Sequence, residues 1–193
     1  MKITREKSEE NRQTVIETAA RMFRESGYDG VGVSPLMQAA GLTHGGFYKQ
    51  FKSKDDLIAQ ATKAALDQTA ARLAAIGDPS DATRLEAIIR RYLSEAHRDA
   101  PGQGCALAAL GADAARHGPE LRGVMEDAVK AHLHLLETSD PQAGNDGARG
   151  RAVAALATMV GALMLSRAVE DPALSSEILQ TSADALLAQD ARQ

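Results

Sequence analysis

Cysteine and aromatic residues are scarce in this chain of 193 residues, which has one cysteine and 3% aromatic residues. A single cysteine excludes an internal disulfide and argues against a zinc cluster, which needs several Cys or His ligands at short spacings. Runs of alternating β-branched residues are also lacking, so we expect an all-α protein. We find no signal segment at the start and no uninterrupted apolar run of membrane-spanning length. We therefore expect a cytoplasmic protein without membrane contact.

Charge is distributed unevenly along the chain. The formal net charge is −4, yet residues 1–54 contain nine lysines and arginines against six acidic residues, a net charge of +3, which leaves −7 for the rest. A basic front end attracts a polyanion such as DNA, whereas an acidic remainder is repelled by phosphate. If the protein binds DNA, this division predicts that its N-terminal end faces the double helix.

Residues 34–51 have the pattern of two short helices joined by a tight turn. Ser34 can cap a helix that begins with Pro35, Gly41 can adopt the left-handed conformation that ends it, and Thr43 can cap the second helix. The second helix would present small, aromatic and cationic side chains at an exposed start. Such a surface suits a major groove and its flanking phosphates.

The stretch from Phe47 to Leu57, with the sequence Phe-Tyr-Lys-Gln-Phe-Lys-Ser-Lys-Asp-Asp-Leu, resembles the signature of the TetR/AcrR family of bacterial repressors. The resemblance covers about residues 8–60 and departs from the family pattern at Gly46 and Gln50. It implies that DNA is bound through phosphate contacts from four residues and base contacts from four more. The phosphate contacts are expected from Ser34, Tyr48, Lys49 and Lys54, and the base contacts from Thr43, His44, Gly45 and Gln50.

Turn residues divide the chain into about nine helices. They are expected at about 7–26, 34–40, 44–50, 54–76, 82–99, 104–116, 119–138, 148–169 and 173–188. The first three form a helix-turn-helix DNA-binding domain over residues 1–53. Residues 54–193 form a helical regulatory and dimerisation domain.

The last two helices carry apolar stripes among small residues, which fits either coverage of the protein's own core or an interface between copies. The resemblance favours the second alternative, because TetR-like proteins pair through these helices as a four-helix bundle. A two-fold dimer would present two reading helices to a palindromic operator. The sequence thus predicts a homodimer that binds double-stranded DNA.

The middle helices would then enclose a small effector, apolar or aromatic in character, that releases the operator. Candidate lining residues are polar or soft side chains on these helices, although a core role is an alternative for each. They are Tyr92, His97, Cys105, Met125, His132 and Met159. Cys105 opens a second possibility, because a helix start raises thiolate content, and some TetR-like sensors of oxidants or electrophiles carry a similar Gly-Cys-x-Leu segment. Its other interpretation is a small buried hydrophobe.

No catalytic or metal-binding constellation stands out, and no cofactor is expected. His132 and His134 are two positions apart on a predicted helix and therefore lie on nearly opposite faces, so they cannot share a metal ion. No phosphate-binding glycine loop or nucleophile elbow is present. A dimeric helical small-molecule-binding protein without DNA affinity remains a further alternative, since Gly46 and Gln50 alter the reading helix.

Overall fold

The computed structural model describes residues 5–78 and 81–190, with side chains up to position 188. The regular elements of these residues are all helical, which confirms the all-α prediction. The N-terminal part contains α1 (Arg5–Ser26), α2 (Val33–Ala39) and a 3-10 helix (His44–Lys49), which we call the reading helix. The remaining elements are α3 (Lys54–Ala74), α4 (Arg84–Tyr92), α5 (Glu95–Arg98), a 3-10 turn (Pro101–Gln103), α6 (Ala106–Ala114), α7 (Pro119–Ser139), α8 (Ala148–Ala168) and α9 (Pro172–Asp190).

The N-terminal helices close around a small aromatic core. Phe23, Tyr28 and Phe47 are fully buried, and the ring centroids of Phe23 and Tyr28 lie 5.5 Å apart. Gly41 has a φ of +72°, as predicted for the turn, and the N–H of Leu42 donates to the carbonyl of Met37 at 2.9 Å. The turn therefore fixes the angle at which the reading helix leaves α2.

Helix α3 joins the two halves of the molecule. It packs against α1 on one side and against α7 on the other. As predicted, Ser53 caps its start, and the Ser53 hydroxyl accepts a hydrogen bond from the N–H of Asp56 at 3.1 Å. The Asp56 carboxylate in turn accepts the N–H of Lys52 at 2.9 Å, which holds the pKa of Asp56 below its ordinary value. The reading helix is thus connected to α3 through a well-capped junction.

The single helix predicted over residues 82–99 is wrong, because the structure breaks it between α4 and α5. Ser94 causes the break: its hydroxyl donates to the carbonyl of Arg91 at 3.0 Å and accepts the N–H of His97 at 3.2 Å. Serine competes with the helix backbone in this way and favours caps and turns over helix interiors. The break turns His97 toward α6.

Helices α8 and α9 pack along each other, and α8 also contacts α7. Among the described residues, only α8 is both long enough and apolar enough to cross a membrane by length and composition. We did not expect this property from the sequence. Leu156, Met159 and Leu163 of this helix are buried against its neighbours. We therefore assign α8 to the helical bundle of the protein.

Candidate DNA-binding surface and Cys105 cavity

The reading helix presents a polar outer face and an aromatic inner face. Phe47 is fully buried and its ring centroid lies 5.4 Å from that of Phe51, whereas the adjacent Tyr48 is 68% exposed. The element is a 3-10 helix instead of the expected α-helix. Two consecutive glycines at its start explain the difference, since glycine has low helix propensity.

Five of the predicted DNA-binding residues lie on the exposed surface of this unit. They are Thr43, His44, Gly45, Tyr48 and Lys49. The His44 and Tyr48 rings meet edge to face at 6.3 Å between centroids, so these two side chains share one face of the reading helix. Their contacts with DNA remain a prediction, but the structure brings them together.

The other three predicted contacts are placed differently from expectation. Ser34 is exposed but does not cap α2, because this helix begins one residue earlier, at Val33, after Gly32. Gln50 is half-buried, and its Oε1 is buried without a hydrogen-bond partner among the described residues. The ammonium of Lys54 donates to the carbonyl of Tyr28 at 2.7 Å, so Lys54 braces the turn after α1. Thr43 occupies the predicted cap position, but its side chain makes no capping hydrogen bond.

A cavity of about 340 Å³, which we call the Cys105 cavity, lies between the end of α3, the end of α4 and the start of α6. Three predicted ligand-binding residues line it: Tyr92, His97 and Cys105. Its other walls are mainly apolar side chains, with Thr69 and Gln103 as polar members, and two exposed arginines, Arg72 and Arg91. The cavity therefore combines an apolar interior with a cationic edge.

Residues 97–105, the clamped segment, are held by guanidinium groups from three helices. Arg167 of α8 donates to the carbonyls of His97 at 2.7 Å and Arg98 at 3.0 Å. Arg72 of α3 donates to the carbonyl of Gln103 at 2.6 Å, and Arg24 of α1 donates to that of Gly104 at 3.3 Å. Because Arg24 belongs to the N-terminal unit, the clamped segment links the cavity directly to that unit.

His97 fixes the geometry of the cavity wall. Its Nε2 accepts the backbone N–H of Cys105 at 2.9 Å, so Nδ1 carries the proton and donates to the carbonyl of Tyr92 at 2.7 Å. Burial lowers the pKa of His97, and the positive charges of Arg167, Arg91 and Arg72 lower it further. His97 is consequently a neutral structural residue at pH 7.

Cys105 is fully buried at the cap position before α6, one residue ahead of the expected first turn. Burial opposes ionisation of its thiol, but interactions with His132, then Tyr92 and the N–H of Ala108, outweigh burial and lower the pKa of Cys105. His132 donates from Nδ1 toward the carbonyl of Ala128 at 2.8 Å. Its Nε2 and the Tyr92 hydroxyl are buried without well-formed hydrogen bonds among the described residues. The thiol thus faces a potential proton acceptor.

The other predicted ligand residues do not join the Cys105 cavity. His132 borders a second, smaller cavity of about 170 Å³ between α3 and α7. Met125 lines an open apolar groove formed by α6, α7 and α8, and Met159 is a core residue with 1% of its surface exposed. The burial of Met159 fits its core alternative, and ligand contacts of Met125, His132 and Met159 stay predictions.

Three clamping residues were missing from the sequence-based candidates: Arg24, Arg72 and Arg167. For Arg24 a signal existed, because it follows Ile16 and Ala20 at spacings of four and must share their buried face. Arg24 is 7% exposed, and burial lowers its pKa, with a further decrease from the charge of Arg72. An arginine on a buried helix face indicates a partner inside the protein.

Comparisons with known proteins agree with the sequence signature and with the fold. Residues 15–61 match the profile of bacterial regulatory proteins of the tetR family. A TetR transcriptional regulator from Chloroflexus aurantiacus superposes with a TM-score of 0.82 and 26% identity, over 97% of this chain and 98% of that one. Residues 15–61 therefore belong to the TetR family of bacterial regulatory proteins, and the chain as a whole has the fold of a TetR regulator.

Two curated relatives within the TetR family match parts of the chain. The transcriptional regulator AcrR of Shigella flexneri is 33% identical over 57 residues, which cover 30% of this chain and 26% of AcrR. The transcriptional repressor NemR of Escherichia coli K12 is 23% identical over 130 residues, 66% of this chain and 65% of NemR. The chain therefore matches less than two thirds of the length of either protein.

Proposed function

We propose that this TetR-family protein is a cytoplasmic transcriptional repressor that binds a palindromic operator as a homodimer and is released by a small effector in the Cys105 cavity. The observation that carries the DNA-binding part is the two-sided reading helix, with Phe47 buried and Tyr48 and Lys49 exposed. A rigid aromatic core positions these outer side chains for a groove and its phosphates.

Dimerisation is supported by the apolar surface that α8 and α9 leave uncovered. Four large side chains there are between 42% and 51% exposed: Val153, Met164, Leu165 and Leu174. Exposed apolar groups of this size, grouped on two adjacent helices, favour an interface over solvent. We expect a dimer by sedimentation, and Leu165→Glu should shift it toward monomer.

A mobility-shift titration on the DNA upstream of the protein's own gene, at two salt concentrations, tests operator binding. Lys49→Ala should weaken binding on all sequences and reduce the salt slope by ~1, because a phosphate contact is lost. Lys130→Ala, which removes an exposed lysine paired with Glu126 on α7, is the control and should bind as the wild type does. His44→Ala should instead alter base preference. If no bound fragment could be selected from random DNA, the alternative of a small-molecule-binding protein without DNA affinity would be favoured.

A second candidate input is reaction of Cys105 with oxidants or electrophiles. It is favoured by the contact of the thiol with His132, whose Nε2 can take the thiol proton. Treatment with N-ethylmaleimide should abolish operator binding of the wild type and spare Cys105→Ser. An unchanged response in Cys105→Ser would remove Cys105 as the sensor.

A further inference from the structure

Positive charge without a carboxylate partner surrounds the Cys105 cavity. Arg72 and Arg91 line it, and no aspartate or glutamate does so among the described residues. Among the described residues the guanidinium of Arg91 has no hydrogen bond or ion pair, whereas that of its neighbour Arg90 is paired with Glu86 at 2.7 Å. The two adjacent arginines of α4 thus differ in whether their charge is compensated.

The positive field extends beneath the wall of the cavity. Arg24 and Arg167 lie there and donate to backbone carbonyls, which are dipoles without net charge. The carboxylates that act on their charges, Glu25 and Asp99, are themselves paired with Arg21 and Arg98. The Nε of Arg24 is buried without a partner among the described residues. Buried cations of this kind are stabilised by an anion placed nearby.

The interior of the cavity is mainly apolar, and its uncharged polar groups come from Thr69, Tyr92, His97, Gln103 and Cys105. Leu73, Ile76, Ala96 and Ala100 form its walls. The Tyr92 hydroxyl, on a side chain that is 1% exposed, interacts with the Cys105 thiol but makes no well-formed hydrogen bond among the described residues. A volume of about 340 Å³ lies at the lower end of the range for small-molecule sites, which favours a small ligand.

We infer that the effector of the Cys105 cavity is a small monocarboxylate with an apolar body, held by Arg72 and Arg91 at its carboxylate and by the aliphatic walls at its hydrocarbon end. This inference rests on the proposed function and replaces a purely apolar effector with an anionic one. A planar guanidinium binds a carboxylate through paired, charge-assisted hydrogen bonds, which are stronger than hydrogen bonds to a neutral carbonyl.

The same contact provides a route to residues 34–51, which we call the reading unit. A carboxylate on Arg72 competes with the carbonyl of Gln103 for the same guanidinium. Gln103 ends the turn that begins at Pro101, and a Cβ on Gly102 of that turn would come within 2.2 Å of the Glu25 side chain on α1. Release of the Gln103 carbonyl therefore loosens a turn that is closely packed on the N-terminal unit.

Calorimetric titration of the purified protein with 3-phenylpropanoate and hexanoate, each compared with its primary amide, tests the inference. We expect the acids to bind at least ten-fold more tightly than the amides. Arg91→Gln should remove this preference, and Arg72→Gln should reduce it. Arg90→Gln is the matched control and should leave it unchanged, because Arg90 is paired with Glu86 and does not line the cavity.

Three outcomes would overturn the inference: no binding of either acid, equal affinity for acid and amide, or an unchanged preference in Arg91→Gln. Operator binding by the ligand-free protein, measured on the same preparation, separates this inference from the proposed function. Operator binding without acid binding rejects the anionic effector alone. Acid binding without affinity for any DNA leaves the site in place and rejects the repressor.

Discussion

The reading unit and the clamped segment are held together by different forces. Residues 34–51 are organised by apolar packing around Phe47 and by the left-handed turn at Gly41. Residues 97–105 are organised by polar contacts, in which guanidinium groups donate to backbone carbonyls and His97 bridges two backbone atoms. Apolar packing yields a rigid platform, whereas polar contacts can be exchanged for those of a ligand. This difference supports the roles that we propose, DNA binding for residues 34–51 and effector sensing for residues 97–105.

The largest effect should come from the aromatic core of the reading unit. Phe47→Ala should lower the free energy of unfolding by ~3–5 kcal/mol, because a fully buried ring is removed and a cavity remains. Urea unfolding followed by circular dichroism measures it. Tyr48→Ala, one position away and exposed, should change stability by less than ~0.5 kcal/mol. Similar losses for both variants would contradict the two-sided reading helix.

The next effect concerns the polar contacts of the clamped segment. Arg167→Met should lower the free energy of unfolding by ~1–3 kcal/mol, since the carbonyls of His97 and Arg98 lose their donors. Burial, which lowers the pKa of Arg167, offsets part of this loss.

Arg149→Met on the same helix is the control, because its exposed ion pair with Glu137, at 3.2 Å, contributes only ~0–1 kcal/mol. Equal destabilisation by the two substitutions would mean that the carbonyl contacts do not hold the segment. Chemical denaturation of both variants under the same buffer gives the comparison directly.

The two regions also differ in how far the sequence predicts them. Gly41, Ser53 and the Phe47 to Phe51 spacing are local signals, because each acts on backbone within a few residues of itself. The turn, the cap and the buried face could therefore be predicted. The 3-10 form of the reading helix is also local in origin, and Gly45 with Gly46 could have indicated it.

The clamped segment could be predicted only in part. The sequence predicts Tyr92, His97 and Cys105 as polar or soft side chains of the middle helices, and the cavity brings them together. The clamps join residues 31 to 80 positions apart, and their acceptors are backbone carbonyls, which every residue possesses. No sequence pattern distinguishes such an acceptor, so Arg72 and Arg167 were not identified.

A smaller effect would sharpen the role of the turn in the reading unit. Gly41→Ala should lower the free energy of unfolding by about 1–2 kcal/mol, because an alanine in the left-handed region brings its Cβ too close to the following carbonyl. Gly111→Ala in α6 is the opposite case, since the backbone is helical and no atom lies within 4 Å of the position that an added Cβ would take. That substitution should raise stability by ~0.5–1 kcal/mol. A loss of stability in Gly111→Ala would mean that the groove beside α6 is too narrow for a methyl group.

The smallest effect is a pH dependence that belongs to the clamped segment. Burial, together with the charges of Arg167, Arg91 and Arg72, lowers the pKa of His97 in the folded protein. Below pH 6.5, histidine in the unfolded chain binds a proton, whereas His97 in the folded protein stays neutral until the pH approaches its lower pKa. The contribution of neutral His97 to stability is therefore fully present above pH 6.5 and is lost as the pH falls toward the folded pKa. His132 acts in the opposite direction, because its pKa is raised: burial lowers it, but the contact with Cys105 outweighs burial.

The difference in unfolding free energy between wild type and His97→Gln isolates the contribution of His97, and this difference should shrink from pH 7.5 to pH 5. His134→Gln, an exposed position on α7, should follow the wild type throughout. A difference that stays constant, or grows toward acid, would mean that His97 is protonated in the fold and does not accept the N–H of Cys105.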